Sequence, residues 1–156
     1  MMVTIGNFFF KYRNWLFIPF YLALFLPSPG LLPEHHLWLL ALGLTISIFG
    51  QALRGATIGL AYIDRGGRNK QVYASKLVTE GLFNHCRNPL YLGNILMLLG
   101  VGIVADSWLY LIVCIPFFVF VYVAIILAEE NFLQGKFAAE FTAYCQRTNR
   151  WLPVVQ

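Results

Sequence analysis

Four apolar runs, residues 15–32, 37–63, 89–105 and 108–128, constrain this chain more than anything else in it. At about 1.5 Å of rise per residue, each run as a helix reaches most or all of the way through a hydrocarbon layer about 30 Å thick. Only 12% of the 156 residues are charged against 59% hydrophobic, too little polar surface to cover such helices in water. The expected fold is all-α: an integral membrane helical bundle of about four transmembrane helices, followed by a C-terminal amphipathic cytoplasmic helix over 129–148. With no internal repeat and no low-complexity linker, residues 1–156 read as a single membrane domain.

The first run follows Lys11 and Arg13 and stops at "PSPG", as a signal peptide would. No small-x-small cleavage pattern follows, and apolar character resumes at Leu31, so the run reads as a span bent at Pro19 and closed by Pro27, Pro29 and Gly30. Lys11 and Arg13 precede this span; Arg65, Arg68, Lys70, Lys76 and Arg87 lie between the second and third; Arg147 and Arg150 lie in the tail. The other two connections hold Glu34, His35, His36 and Asp106 with no Lys or Arg. The positive-inside rule then puts both termini and the 64–88 loop in the cytoplasm, in a bacterial-type inner membrane. The net charge of +4 thus reflects topology, and no basic stripe with interleaved aromatics points to nucleic acid. Cys86, Cys114 and Cys145 lack metal-type spacing, and no metal site is expected.

The polar chemistry gathers at one threshold. "HCRNPLYLGN" opens the third run, where Asn88 and Pro89 form a helix start and Asn88 reads either as a cap alone or as part of a site. Runs three and four are joined by a short turn at Asp106 and Ser107, so they form an antiparallel hairpin. Arg87, Asn88, Tyr91 and Asn94 must then lie level with Glu129 and Glu130. Charges at such depth are costly and default to a functional reading, although the glutamates can also simply pair with Arg87 or Arg54. The open N-terminus of the third helix favours an anion, and together these groups suit a zwitterion. Arg54, late in span two, either snorkels to the headgroups or lines the same pocket. Gly93, Met97 and Gly100 share a face that reads as close helix packing. Beyond Glu130, Leu133, Phe137, Phe141 and Tyr144 recur at helical spacing, with Gly135 as a place for the chain to turn.

These residues carry a family resemblance. "LVTEGLFNHCRNPLYLGN" resembles the L-V-T-x-G-x-[FY] and R-H-P-x-Y-x-G signature of the isoprenylcysteine carboxyl methyltransferase and phospholipid methyltransferase superfamily. "EENFLQGKFAAEFTAYCQRTNRWLP" is similar to its second block, E-E-x-x-L, F-G-x-E-Y-x-x-Y and P. The resemblance, over roughly residues 43 to 153, implies an integral membrane enzyme that binds S-adenosylmethionine on the cytoplasmic side and methylates a lipid-like or hydrophobic acceptor reached through membrane lipids. By position it implies a cofactor pocket of Lys76, Leu77, Val78, Gly81, Asn88, Tyr91, Glu129 and Glu130. Glu129 and Glu130 would hold the amino or ribose groups, Arg87 or the helix N-terminus the carboxylate, and Arg54 the acceptor. The departures are Asn88, where the pattern has His, Ala138, where it has Gly, and the apolar "YVAIIL" before the glutamates, where the eukaryotic carboxyl methyltransferases carry an Arg. Asn hydrogen-bonds but does not titrate, so no histidine base stands at 88. Two other readings share the scaffold: a membrane reductase using NADPH, and a non-catalytic membrane partner protein.

Overall fold

The computed structural model describes residues 1–27, 36–60 and 72–153 as an all-α bundle. In chain order the helices are α1 (Met2–Leu16), α2 (Ile18–Leu22) with a 3-10 turn at Ala23–Phe25, α3 (His36–Leu60), α4 (Leu82–His85), α5 (Pro89–Val104), a π-helical turn at Tyr110–Cys114, and α6 (Ile115–Arg147). Two stretches, His36–Gly59 and Tyr110–Arg147, are long and apolar enough to cross a membrane. Helix α5 is apolar but has 16 residues, about 24 Å of rise. Leu37 and Trp38 of α3 are each 78% exposed, and Ile48 and Phe49 lie open on the same helix, a display suited to hydrocarbon rather than water.

Glycine decides how the helices pair. A Cβ on Gly50 of α3 would lie 2.7 Å from the Gly93 carbonyl of α5, and Gly43 stands equally close to Gly100. The two helices therefore run antiparallel with their backbones almost in contact, as the small-residue face of α5 leads one to expect. Gly6 of α1 backs onto the Ala124 carbonyl of α6 in the same way, and Phe17 meets the rings of Phe118 and Tyr122. The core between α1, α2 and α6 is largely aromatic, with the rings of Phe20 and Phe117 stacked at 4.1 Å.

The hairpin of α5 and α6 turns through Asp106 at φ 51, and Ser107 Oγ accepts the Tyr110 N–H at 3.2 Å. Pro116 has no N–H to return to the preceding turn, and the helix widens to π geometry just before it.

Three expectations need correction. The first helix starts at Met2 rather than near Trp15, because Gly6 and Phe10 bury a face on α6 that hydropathy alone does not reveal. Lys11 and Arg13 thus lie inside a helix, not ahead of one. At the other end no helix starts at Glu129: α6 continues through it and breaks at Ala138, not Gly135. Finally, Leu133, Phe141 and Tyr144 are buried against Ala74 and Leu77, so the apolar stripe is covered by the chain's own loop. The readings placed on Pro29, Gly30, Glu34, His35, Arg65, Arg68 and Lys70 lie outside the described residues.

Candidate active site

The hairpin brings the distant polar ends together. The Tyr91 hydroxyl, on the first turn of α5, donates to Glu129 Oε1 of α6 at 2.7 Å. Tyr91 is buried, so this bond is made where water competes poorly. Asn88 occupies the cap position of α5 at φ −132 and ψ 51 but makes no side-chain cap. Its Nδ2 instead donates to the Arg150 carbonyl at 3.3 Å, tying the start of α5 to the tail. The Asn88 side chain therefore gives the first N–H groups of α5 no cap.

A cavity of about 410 Å3 opens beside this pair. Its wall includes Asn88, Leu90, Tyr91, Asn94 and Met97 around α5, Tyr122 and Glu129 of α6, and Arg54 of α3. Phe83 of α4 closes one side, fixed from α6 by the Tyr144 hydroxyl, which donates to its carbonyl at 2.6 Å. Gly93 admits Arg54: a Cβ there would stand 2.7 Å from Arg54 Cγ, so its absence lets the arginine stem cross the α5 backbone. Arg54 Nη1 then reaches only Met97 Sδ at 3.9 Å, and Arg54 Nε and Asn94 Oδ1 are buried without a hydrogen-bond partner among the described residues.

Behind the cavity lies a second cluster. Arg150 grips Glu130 with two bonds, Nε to Oε1 at 3.1 Å and Nη2 to Oε2 at 2.7 Å, and Arg87 Nη1 stands 3.4 Å from Oε1. Arg87 N–H also donates to the Asn149 carbonyl at 2.9 Å, and Cys86 pairs with Asn149 as an isolated parallel bridge. The tail is thereby strapped across residues 86 to 88. The Cys86 thiol donates to the Trp151 carbonyl at 3.3 Å; its burial pushes the thiol pKa up, against the opposing pull of the Asn88 backbone N–H and the Arg87 charge.

Of the residues singled out in the sequence, Arg54, Asn88, Tyr91 and Glu129 line the cavity. Arg87 and Glu130 belong to the tail cluster. Lys76 is exposed, Leu77 packs with Leu133 and Phe141, and Val78 packs on Phe83. Gly81 holds φ 61 at the start of α4, a conformation natural to glycine, and so sets the turn that delivers Phe83. Sequence reasoning missed Arg13, Asn14, Phe17 and Tyr21, which the first helices bring to the same cavity, and it missed the grip of Arg150 on Glu130. A signal for Arg13 existed: Gly6, Phe10, Arg13 and Phe17 fall at helical spacing, so the arginine sits within the packed stripe.

Three curated proteins resemble the chain. The cobalt-zinc-cadmium resistance protein CzcN of Cupriavidus metallidurans is 35% identical over 119 residues, covering 74% of this chain and 51% of that protein. The nickel-cobalt-cadmium resistance protein NccN of Alcaligenes xylosoxydans xylosoxydans is 30% identical over 118 residues, covering 74% and 52%. The chain therefore spans about half the length of these two relatives. Protein-S-isoprenylcysteine O-methyltransferase B of Arabidopsis thaliana is 27% identical over 153 residues, covering 86% of this chain and 68% of that protein. Residues 37–140, which carry Arg54, the α5–α6 hairpin and both glutamates, match the phospholipid methyltransferase family. The chain belongs to that family, a group of integral-membrane helical proteins.

Proposed function

We propose that the protein transfers a methyl group from S-adenosylmethionine to a lipid-like or hydrophobic acceptor, with the cavity mouth and both chain termini on the cytoplasmic side. The observation that carries this reading is the Tyr91–Glu129 pair on the wall of a cavity whose far side holds Arg54. The cavity's size lies in the range of small-molecule sites. Its chemistry suits S-adenosylmethionine as well: a carboxylate for ammonium or ribose hydroxyls, uncapped N–H groups at the start of α5 for a carboxylate, and the rings of Phe83 and Tyr91 for a flat base.

When bound, S-adenosylmethionine supplies a methyl group on a positively charged sulfur. The chain's own residues align and enclose. Glu129, held by Tyr91, accepts hydrogen bonds from the ammonium or ribose end. The start of α5, which the Asn88 side chain does not cap, takes the carboxylate, since Arg87 is occupied by Glu130. Phe17, Phe83, Leu90 and Met97 exclude water, and Arg54 positions the acceptor. Displacement at a methyl group needs an in-line approach rather than a nucleophilic side chain, so orientation is the main contribution required of the protein. Glu130 and Arg87 act through the tail they hold.

Binding of radiolabelled S-adenosylmethionine to the detergent-solubilised protein tests the assignment. Glu129→Gln and Tyr91→Phe are expected to weaken binding by about tenfold each, the loss of one hydrogen bond to a charged group. Undiminished binding by both variants would overturn it.

A further inference from the structure

The region matched to the family begins at residue 37, yet the cavity is completed by the helix before it. Arg13 and Asn14 of α1 enter the lining beside Arg54. Both arginines arrive by the same device. Arg13 follows Gly6 and Phe10 on the stripe that packs against α6, and Arg54 follows Gly43, Ser47 and Gly50 on the stripe that packs against α5. Each is therefore carried toward the cavity by helix contact and is half-buried there.

Both leave their helices at levels inward of Tyr91 and Glu129. Arg54 packs at Gly93 and Met97, and Arg13 falls between the contacts that Gly6 makes at Ala124 and Phe17 makes at Tyr122. Tyr122 lines the same cavity as both arginines. Arg13 rests 4.8 Å over the Phe10 ring, and Arg54 Nε has no hydrogen-bond partner among the described residues. The ion pairs among the described residues are those of Glu130 with Arg87 and Arg150, and neither Arg13 nor Arg54 enters one. Two guanidinium groups thus face a cavity whose lining includes one carboxylate, Glu129.

We infer that the inner end of the cavity is a subsite for an oxyanion carried by the acceptor, and that Arg13 of the first helix selects it together with Arg54. The inference rests on the proposed methyl transfer for the identity of the occupant. Charge balance favours it: S-adenosylmethionine brings a net positive charge, and a cationic acceptor would add another beside two guanidinium groups in a space walled by Phe17, Leu90 and Met97. A carboxylate halves that excess, a doubly ionised phosphate monoester cancels it, and either accepts hydrogen bonds from both arginines. Asn14 and Asn94 line the same cavity and offer further polar contacts. Tyr21 lines the cavity while 40% exposed, so an amphiphile can keep its apolar chain on the outer surface with its head inside.

The test is equilibrium binding of decanoate, decyl phosphate and decyltrimethylammonium to the full chain in neutral detergent, with S-adenosylhomocysteine binding measured in parallel. The wild type is expected to prefer at least one anionic probe over the cationic one by about tenfold or more. Which anion is preferred identifies the oxyanion as carboxylate or phosphate. Arg13→Gln is expected to abolish that preference while keeping S-adenosylhomocysteine binding, and Arg13→Lys to keep part of it. Absence of anionic preference in the wild type overturns the inference, as does a preference that survives in Arg13→Gln. Should Arg13→Gln lose both ligands through misfolding, Arg54→Gln decides, and a preference surviving there overturns the inference. Anionic preference without S-adenosylhomocysteine binding would leave the subsite standing and remove the proposed methyl transfer.

Discussion

Ala138 sits in the middle of α6 at φ 34 and ψ −101, where a side chain at Cβ is unwelcome. Gln134 Nε2 and Thr142 Oγ1 both donate to its carbonyl, at 3.3 and 3.0 Å, and hold the break closed. The pattern that this segment resembles has glycine at that position, and the backbone now gives the reason. Ala138→Gly is expected to raise stability by about 1 kcal/mol, read as a higher melting temperature in detergent. Cys86 makes a second prediction at this scale. It is 3% exposed and its pKa is raised by burial, so the folded state favours the neutral thiol. That preference contributes stability below the ordinary thiol value of 9.0 and loses it as the pH climbs through the higher folded value. Iodoacetamide labelling followed by mass spectrometry should find Cys86 nearly unmodified at pH 7.5 in the folded protein and readily modified once it is unfolded.

Among the elements, the α3–α5 contact does two jobs. It buries a seam of glycines, and it lays Arg54 across Gly93 into the cavity. Gly93→Val is expected to cost about 1 to 3 kcal/mol through overpacking and to push the arginine out of the cavity, so acceptor binding should suffer more than cofactor binding. The tail strap is a separate element with its own readout. Glu130→Gln removes the charge that Arg87 and Arg150 share and replaces one acceptor oxygen by a donor, which should cost about 1 to 3 kcal/mol. Limited proteolysis should then clip the chain between Thr148 and Pro153 much faster than in the wild type, and an unchanged cleavage rate would show that the backbone contacts at Cys86 and Arg87 suffice.

For the molecule as a whole, the proposed function makes a ligand-linked stability claim. S-adenosylmethionine or S-adenosylhomocysteine at 100 times its Kd should stabilise the fold by about 2.7 kcal/mol, whereas NADPH should leave the melting temperature unchanged. Stabilisation by NADPH instead would favour a membrane reductase, and response to none of them would favour a partner protein without chemistry. The site spans all the principal helices: α1 and α3 supply the arginines, α5 and α6 the tyrosine and glutamate. Ligand binding should therefore report on the integrity of the entire bundle.

Sequence alone determined that this chain is helical and rich enough in apolar residues to need a membrane, because that follows from run length and the scarcity of charge. It also determined the level at which Tyr91 and Glu129 meet, since a short turn between two helices leaves their far ends side by side. Arg54, Asn88, Tyr91 and Glu129 were legible because a polar group in an apolar run has to be explained. Tertiary structure decided the rest. Arg13 beside Lys11 looks like a topological flank until α1 is packed on α6, and only then does its helical phase point into the cavity. Arg87 and Glu130 read from the sequence as site residues, and only the folded tail shows that Arg150 shares the Glu130 carboxylate. Helical phase and membrane level are local properties that spacing encodes, whereas the choice of partner for a charge depends on which distant segment arrives beside it.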